Sequence, residues 1–224
     1  MKITWLGQAG LLFEGEGLSV MIDPYLSDSV EKKEPHNIRR VPVDARFLAL
    51  RPDVMIFTHN HLDHYDPETV PHFITAESAC LVLAPSSVYN EVRRIGGKNN
   101  YVKLDRHTEW TEGSLRFRAV KAEHSDPTPI GVIIEDGKSR YYVTGDTLYN
   151  EDIFADIPRD IDAVFLPING KGNNMNMVDA ARFCQRINPK VAVPLHFGMF
   201  DAINPLDFPY EKKVIPEIYR EIKL

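Results

Sequence analysis

Histidine and aspartate side chains are concentrated in the stretch FTHNHLDHYD, which spans Phe57 to Asp66. Three of the eight histidines of the chain and two aspartates lie within these ten residues. Neither residue type strongly favours a strand or a helix, so folding alone gives no reason for the concentration. Imidazole and carboxylate groups are ligands for zinc, manganese and iron, and the stretch therefore predicts a metal site.

The spacing inside HNHLDH favours two adjacent ions. His59 and His61 are two residues apart on an extended turn, so their rings point to one side. Asp63 and His64 follow directly and can reach a second ion. Two ions at about 3.5–4 Å need an anionic bridge, and Asp146 is the natural choice for it.

Further metal-ligand residue types follow strand-like segments elsewhere in the chain. His124 follows FRAVKAE, Asp146 follows YYVTG, His196 follows VAVPL and Asp23 follows SVMI. The carboxyl ends of strands in α/β sheets line one crevice, where we expect these groups to meet. No cysteine belongs to the set, which argues against a structural zinc cage. Asp23 either ends a strand before Pro24 or orients a ligand histidine.

The elements that would position these groups are two runs of strands, each followed by strand–helix units. Two mixed sheets with helices outside satisfy this order, although periodicity alone does not separate them from a doubly wound open sheet. No linker, repeat or low-complexity tract interrupts the chain, which predicts a single α/β domain over residues 1–224. Ser27 to Asp44 is expected to be a long surface loop. Helices are expected in DPETVPHFI, SSVYNEVRRIGG, MVDAARFCQRI and EKKVIPEIYREI.

Composition excludes several classes of partner. The net charge of −6 over 224 residues offers no electrostatic footprint for nucleic acid. No apolar run approaches the roughly 20 residues that span a bilayer, and the N-terminus lacks a signal-peptide pattern. Cys80 and Cys184 are expected to be buried thiols in a reducing compartment. We therefore expect a cytoplasmic protein with no nucleic-acid or membrane partner, and a homo-oligomer stays open.

The stretch THNHLDH resembles the H-x-H-x-D-H signature of the metallo-β-lactamase superfamily, and AEH, TGDT and PLHF match its remaining ligand positions in order. The resemblance implies an αββα four-layer sandwich, in which two mixed sheets are flanked by helices and the site lies at one edge between them. It also implies two divalent ions, zinc or manganese with iron as a third option. Their implied ligands are His59, His61 and His124 for the first ion, Asp63, His64 and His196 for the second, and Asp146 as the bridge.

The stretches TWLGQAGLLFE, IDPYLSD and LPINGKGNNMNMVDA further resemble the ascorbate-6-phosphate lactonase-like branch of this superfamily. This resemblance implies a metal-dependent hydrolase that opens a small anionic ester or lactone with a metal-bound hydroxide. Asp63 would orient the water and move its proton, and Asp146 is the second catalytic candidate. No Ser or Cys lies beside the motif in a nucleophile-elbow context. A phosphodiesterase of the same superfamily and a non-catalytic metal-binding module are the alternatives.

Two stretches could select the anionic group of a small-molecule substrate, which we expect to be a phosphate. The stretch PINGKGNNMNMVDAA opens a helix near Asn176, and N–H groups at a helix start favour an anion, so Asn169 and Asn176 are candidates. Arg39 and Arg40 lie in the long loop before the metal-motif strand and could clamp a phosphate. The alternatives are a flexible connection for the first stretch and a solvated charged face for the second.

Overall fold

Two six-stranded mixed sheets form the centre of the computed structural model, which describes residues 1–224. Strands pair with their neighbours in sequence within each sheet. The first sheet contains β1 (Lys2–Gly7), β2 (Gly10–Gly15), β3 (Leu18–Ile22), β4 (Val54–Ile56), β5 (Leu81–Ala84) and β6 (Asn100–Lys103). The second contains β7 (Glu109–Glu112), β8 (Leu115–Lys121), β9 (Ile130–Glu135), β10 (Arg140–Val143), β11 (Ala163–Pro167) and β12 (Val191–Leu195).

Strand direction brings many loops to one edge of the sheets. In the first sheet β2 is antiparallel to both β1 and β3, while β3 to β6 are parallel, so every strand except β2 runs the same way. In the second sheet β8, β10, β11 and β12 share one direction. The carboxyl ends of parallel strands form the edge where α/β proteins place their ligands.

Four short α-helices and four 3₁₀ turns accompany the sheets. The α-helices are α1 (Ser29–Lys33), α2 (Ala45–Leu48), α3 (Ser86–Val92) and α4 (Met177–Ile187), and the 3₁₀ turns are Val70–His72, Arg93–Ile95, Glu151–Ala155 and Pro205–Asp207. α4 buries Ala180, Phe183 and Cys184, which share one face at the helical spacing. No helix combines the length and the apolarity needed to cross a membrane.

Both faces of the first sheet are covered by apolar cores. Side chains alternate along β3, where Val20 and Ile22 enter a core of 40 buried residues. Met21 enters a second core of 15 residues, together with Val88 and Val92 of α3. The two mixed sheets and their flanking helices confirm the predicted fold class.

Two of the predicted helices are wrong. DPETVPHFI forms only the 3₁₀ turn Val70–His72, and the predicted loop from Ser27 to Asp44 contains α1. EKKVIPEIYREI forms no helix, because Pro216 has no N–H group and the backbone pairs with sheet edges instead. Val214 donates to the carbonyl of Ala192 on β12, and Ile222 donates to that of Ile3 on β1. The C-terminal segment therefore covers an edge strand of each sheet.

Candidate metal centre

The predicted ligand residues lie together at the edge of the sheets where the parallel strands end. The loop after β4 supplies His59, His61, Asp63 and His64, and the loops after β8, β10 and β12 supply His124, Asp146 and His196. The structure thus brings together side chains that the sequence places at separate strand ends.

The backbone is strained at two strand ends beside the cluster, after β3 and after β12. Asp23 and His196 have left-handed conformations, with φ of 43° and 60°. Such conformations are costly for residues other than glycine and are held only by the surrounding contacts. Gly145 has φ of 61°, and a Cβ atom there would lie 2.9 Å from the Cβ of Thr58. Glycine therefore allows the loop after β10 to approach the loop after β4.

The first group of donor atoms consists of three imidazoles. His59, His61 and His124 each offer one nitrogen, and these nitrogens lie within 4.8 Å of one another. Nδ1 of His61 is 3.0 Å from Nε2 of His124. Two nitrogen ligands of a tetrahedral zinc ion are about 3.3 Å apart, so the spacing fits a single ion.

The second group contains a carboxylate and two imidazoles. Donor atoms of Asp63, His64 and His196 lie within 4.8 Å of one another. Asp146 reaches both groups: its Oδ1 is 3.4 Å from Nε2 of His64, and its Oδ2 is 3.2 Å from Nε2 of His196 and 4.0 Å from Nε2 of His124. A bridging ligand requires a position of this kind.

Unpartnered buried atoms distinguish this cluster from ordinary ion pairs. Nε2 of His59, His64 and His196 and Oδ1 of Asp146 are buried without a hydrogen-bond partner. Buried polar atoms in folded proteins are nearly always paired, so these atoms need another partner. A divalent cation would supply it, and imidazole with carboxylate suits zinc, manganese or iron. The residues therefore fit the metal ions that the sequence predicts.

Hydrogen bonds on the far side of the rings fix which nitrogen faces the cluster. Nδ1 of His64 is 2.9 Å from Oδ2 of Asp23, and Nδ1 of His124 is 3.1 Å from the carbonyl oxygen of Asn173. Both partners are acceptors, so Nδ1 of each ring donates a hydrogen bond and Nε2 faces the cluster. Asp23 also accepts hydrogen bonds from the N–H and the hydroxyl of Thr58. It therefore orients His64 from outside the ligand set.

Amide side chains hold other members of the cluster. Gln8 donates to Oδ2 of Asp63 at 2.9 Å, and Asn174 donates to Oδ2 of Asp146 at 2.7 Å. The amide of Asn169 lies 3.0 Å from Nδ1 of His196. The sequence analysis does not single out Gln8 or Asn174. Their signal was their place in TWLGQAGLLFE and LPINGKGNNMNMVDA, two of the stretches that carry the family resemblance.

The charges of the cluster shift pKa values in opposite directions. Burial and the neighbouring histidines lower the pKa of His59 well below its ordinary value. Burial also opposes a charge on His64 and His196, but Asp146 and Asp63 outweigh it, raising the pKa of His196 to about 10 and that of His64 well above its ordinary value. The same two histidines lower the pKa of both carboxyl groups against the effect of burial. Both carboxylates are therefore ionised at neutral pH, as metal ligands must be.

A cavity of about 530 Å³ opens onto the cluster. Its volume suits a small molecule. One wall comes from α1 and the residues after it, and another from the loop between β11 and α4. Lys171 is the single lysine or arginine among the lining side chains, which are mainly polar. Site residues in the wall include His61, Asp63, Asp146 and His196.

A protein-family comparison adds to this geometry. A family model described as Beta-lactamase superfamily domain matches residues 2–196. The match runs from the first strand to His196 and includes the whole ligand set. The chain belongs to the β-lactamase superfamily.

Three known proteins resemble the chain over nine tenths or more of its length. A UPF0173 protein of Pyrococcus furiosus is 30% identical over 226 residues, which cover 100% of this chain and 97% of the relative. A UPF0173 metal-dependent hydrolase of Carboxydothermus hydrogenoformans is 28% identical over 218 residues, which cover 91% of this chain and 87% of the relative. Igni18, a metallo hydrolase from the archaeon Ignicoccus hospitalis, has a TM-score of 0.78 at 20% identity, with 98% of this chain and 96% of that chain covered. The structural likeness confirms the metallo-β-lactamase fold.

Neither of the two arginines that were predicted to bind a phosphate lines the cavity of this protein. The side chain of Arg39 is only 4% exposed, and its guanidinium donates to the carbonyls of Tyr25 and Ser27 and pairs with Asp28. Arg40 is exposed outside the cavity. This corrects the prediction of a phosphate clamp, because charge in a sequence does not reveal the direction in which a side chain points.

Of the two asparagines predicted to contact the substrate after β11, only one lines the cavity. Asn176 does not line the cavity, since its Oδ1 accepts hydrogen bonds from the N–H groups of Val178 and Asp179 and caps α4. These N–H groups at the start of α4, which were predicted to bind an anion, therefore already have a hydrogen-bond partner. Asn169 does line the cavity. Lys171, which the sequence analysis does not name, lines it as well and belongs to the same stretch.

Proposed function

We propose that the protein is a metal-dependent hydrolase that cleaves a small anionic ester or lactone. The observation that carries the proposal is the set of buried, inward-facing donor atoms without hydrogen-bond partners, placed beside a cavity of small-molecule size. The similarity to a UPF0173 metal-dependent hydrolase over 91% of the chain supports it.

Two divalent ions are assigned to the centre, and zinc, manganese and iron all suit its donors. When bound, such ions lower the pKa of water and polarise a carbonyl oxygen. The residues assigned to the first ion are His59, His61 and His124, those assigned to the second are Asp63, His64 and His196, and Asp146 is assigned to both.

Asp63 is the residue that we assign to orienting the attacking water and accepting its proton. Its side chain lines the cavity and is 20% exposed, whereas those of His64 and Asp146 are 0% and 6% exposed. Gln8 donates to one oxygen of the carboxylate and fixes its orientation. The His64 and His196 side chains lower the pKa of Asp63 against the effect of burial, so the carboxylate is ionised at neutral pH and can accept a hydrogen bond from the water.

No side-chain nucleophile belongs to this mechanism, although Ser125 lines the cavity. Its Oγ is 3.4 Å from Nε2 of His61, and Nδ1 of the same ring faces His124. Ser125 follows β8 in a loop, whereas the nucleophilic serine of α/β-hydrolases sits in a strand–turn–helix elbow. Mass spectrometry during turnover should find no acyl adduct, and an adduct on Ser125 would contradict the mechanism.

Lys171 supports an anionic substrate, because it is the single lysine or arginine that lines the cavity. A hydrogen bond to a charged group contributes about 1.5 kcal/mol, which corresponds to roughly tenfold in binding. We therefore expect Lys171→Ala to raise KM for a phosphorylated sugar-acid lactone about tenfold, with little change for the same lactone without phosphate. The measurement is a panel of paired lactones assayed with both enzymes.

The control is Lys138→Ala, which removes a lysine 82% exposed in the turn between β9 and β10. It should leave KM unchanged for every lactone. Equal rates for the paired lactones, unaffected by Lys171→Ala, would remove the phosphate from the proposal. Failure to hydrolyse any lactone or ester would remove the substrate class.

The phosphodiesterase alternative has one supporting observation. Two donor groups joined by a shared carboxylate also suit a two-ion displacement at phosphorus. Assaying bis-nitrophenyl phosphate beside the lactones separates the two activities. Metal binding combined with inertness to both substrates would indicate the non-catalytic module.

We also propose a cytoplasmic location, with the oligomeric state open to a homo-oligomer. Cys80 and Cys184 are both buried and free, as expected from the sequence. Unpaired cysteines are usual in a reducing compartment.

A further inference from the structure

Asp126 connects the two loops that carry the first group of donor atoms. It lies two residues after His124 and is 5% exposed. Its Oδ2 accepts a hydrogen bond of 2.9 Å from the backbone N–H of Asn60. Asn60 is the residue between His59 and His61, so one carboxylate ties the backbone of both loops.

The carboxylate of Asp126 is itself held in place. Its Oδ1 accepts a hydrogen bond of 2.6 Å from the backbone N–H of Thr128, which closes a turn. The hydroxyl oxygen of Thr128 accepts a hydrogen bond from the N–H of Ser87, the second residue of α3. The contact to Asn60 is therefore anchored to a helix.

We propose that Asp126 is a positioning residue that sets the spacing of the imidazoles of His59, His61 and His124. The inference rests on the proposed metal function, but it concerns only one of the two donor groups. The second group has its own supports, since Asp23 holds His64 and Gln8 holds Asp63. Loss of Asp126 should therefore affect the two groups unequally.

The expected consequence is a selective loss of metal affinity. Residues that support metal ligands from outside typically contribute 10–100-fold to affinity. We expect Asp126→Ala to weaken binding of one ion by about this factor and to leave the other ion at wild-type affinity. Asp126→Asn keeps a single carbonyl acceptor, so its affinity for the first ion should lie between that of the wild type and that of Asp126→Ala.

The experiment is a titration of metal-free protein with Co²⁺, followed by visible absorption and calorimetry. The titration step that is absent in His59→Ala identifies the first group. Asp136→Ala is the matched control, because Asp136 is 9% exposed and also accepts two backbone N–H groups, in the turn between β9 and β10. It should bind both ions as the wild type does.

The outcomes distinguish a failure of the role proposed for Asp126 from a failure of the proposed metal function. Selective weakening of the first-group step in Asp126→Ala, with partial recovery in Asp126→Asn, supports the inference. Wild-type affinity for both ions in Asp126→Ala would overturn it, as would equal losses in the Asp126 and Asp136 variants. A wild type that binds no Co²⁺ would overturn the metal function itself.

Discussion

Two clusters of aspartate and histidine side chains lie in different parts of the protein and differ in their hydrogen bonds. Both carboxylate oxygens of Asp156 are paired: Oδ2 accepts from Arg106 and from the backbone N–H of Lys121, and Oδ1 accepts from Arg106 and His107. In the candidate metal centre, Oδ1 of Asp146 faces an imidazole nitrogen without a hydrogen bond. Both clusters contain aspartate and histidine, but the Asp156 cluster also contains Arg106, and only that cluster is complete without an additional partner.

Neighbouring aspartate and histidine side chains can therefore form either a structural cluster or a candidate metal-binding one. Asp156 joins β8, the turn before β7 and the end of the 3₁₀ turn Glu151–Ala155, and its side chain is 6% exposed. A fully paired cluster of this kind stabilises the fold. A buried cluster with unpaired inward atoms is a candidate functional site.

The sharpest test of this contrast is Asp146→Asn. Loss of the shared carboxylate should lower kcat/KM by about a thousandfold or more, because metal ions contribute several kcal/mol to transition-state stabilisation. The melting temperature of the metal-free protein should change less than in an Asp156 variant. A large loss of stability in Asp146→Asn with normal activity would show that Asp146 has a structural role like that of Asp156.

A smaller effect is expected from Asp23→Ala. Asp23 accepts a hydrogen bond from Nδ1 of His64, so its loss frees the ring to rotate and to change tautomer. Metal affinity should fall about 10–100-fold, as measured by competition with a chelator. Unchanged affinity would show that His64 is held by its packing alone.

Most residues of the candidate metal centre could be predicted from the sequence, because strand-like patterns show where each strand ends. His59, His124, Asp146 and His196 each follow an apolar run, and the direction of the strands places them at one edge. What the sequence did not show is where a long side chain points. The guanidinium of Arg39 turns inward to backbone carbonyls, and nothing in its neighbours indicates this.

The error at the C-terminus has a different physical origin. The segment EKKVIPEIYREI has charged and apolar residues at spacings that suit a helix, apart from Pro216. Its backbone partners are edge strands far away in the chain, at Ile3 and Ala192. Local propensity does not contain these long-range partners, so tertiary pairing overrode it.

Asp156→Asn should have the opposite result to Asp146→Asn. The neutral amide loses charge-assisted hydrogen bonds to Arg106, and we expect the free energy of unfolding to fall by about 2 kcal/mol. Metal content and kcat/KM should stay at wild-type values. Denaturant unfolding and activity assays measure both, and loss of activity without loss of stability would contradict the structural role.

The pH dependence of that stability difference is the smallest effect. Burial opposes ionisation of Asp156, but Arg106 and His107 outweigh it and lower its pKa. An unfolded aspartate has a pKa of about 3.9, so the stabilisation is complete above that pH and is lost as the pH falls below it. The gap between wild type and Asp156→Asn should be complete near pH 5 and should shrink below about pH 4. A gap that widens on acidification would contradict the assignment.

The central claim is that the unpaired donor atoms hold two metal ions, and counting the ions tests it most directly. Elemental analysis of the wild type after reconstitution and dialysis should find about two ions per chain. His59→Ala should retain fewer and should lose activity together with the metal. Full occupancy in His59→Ala, or a wild type that retains no metal, would contradict the account.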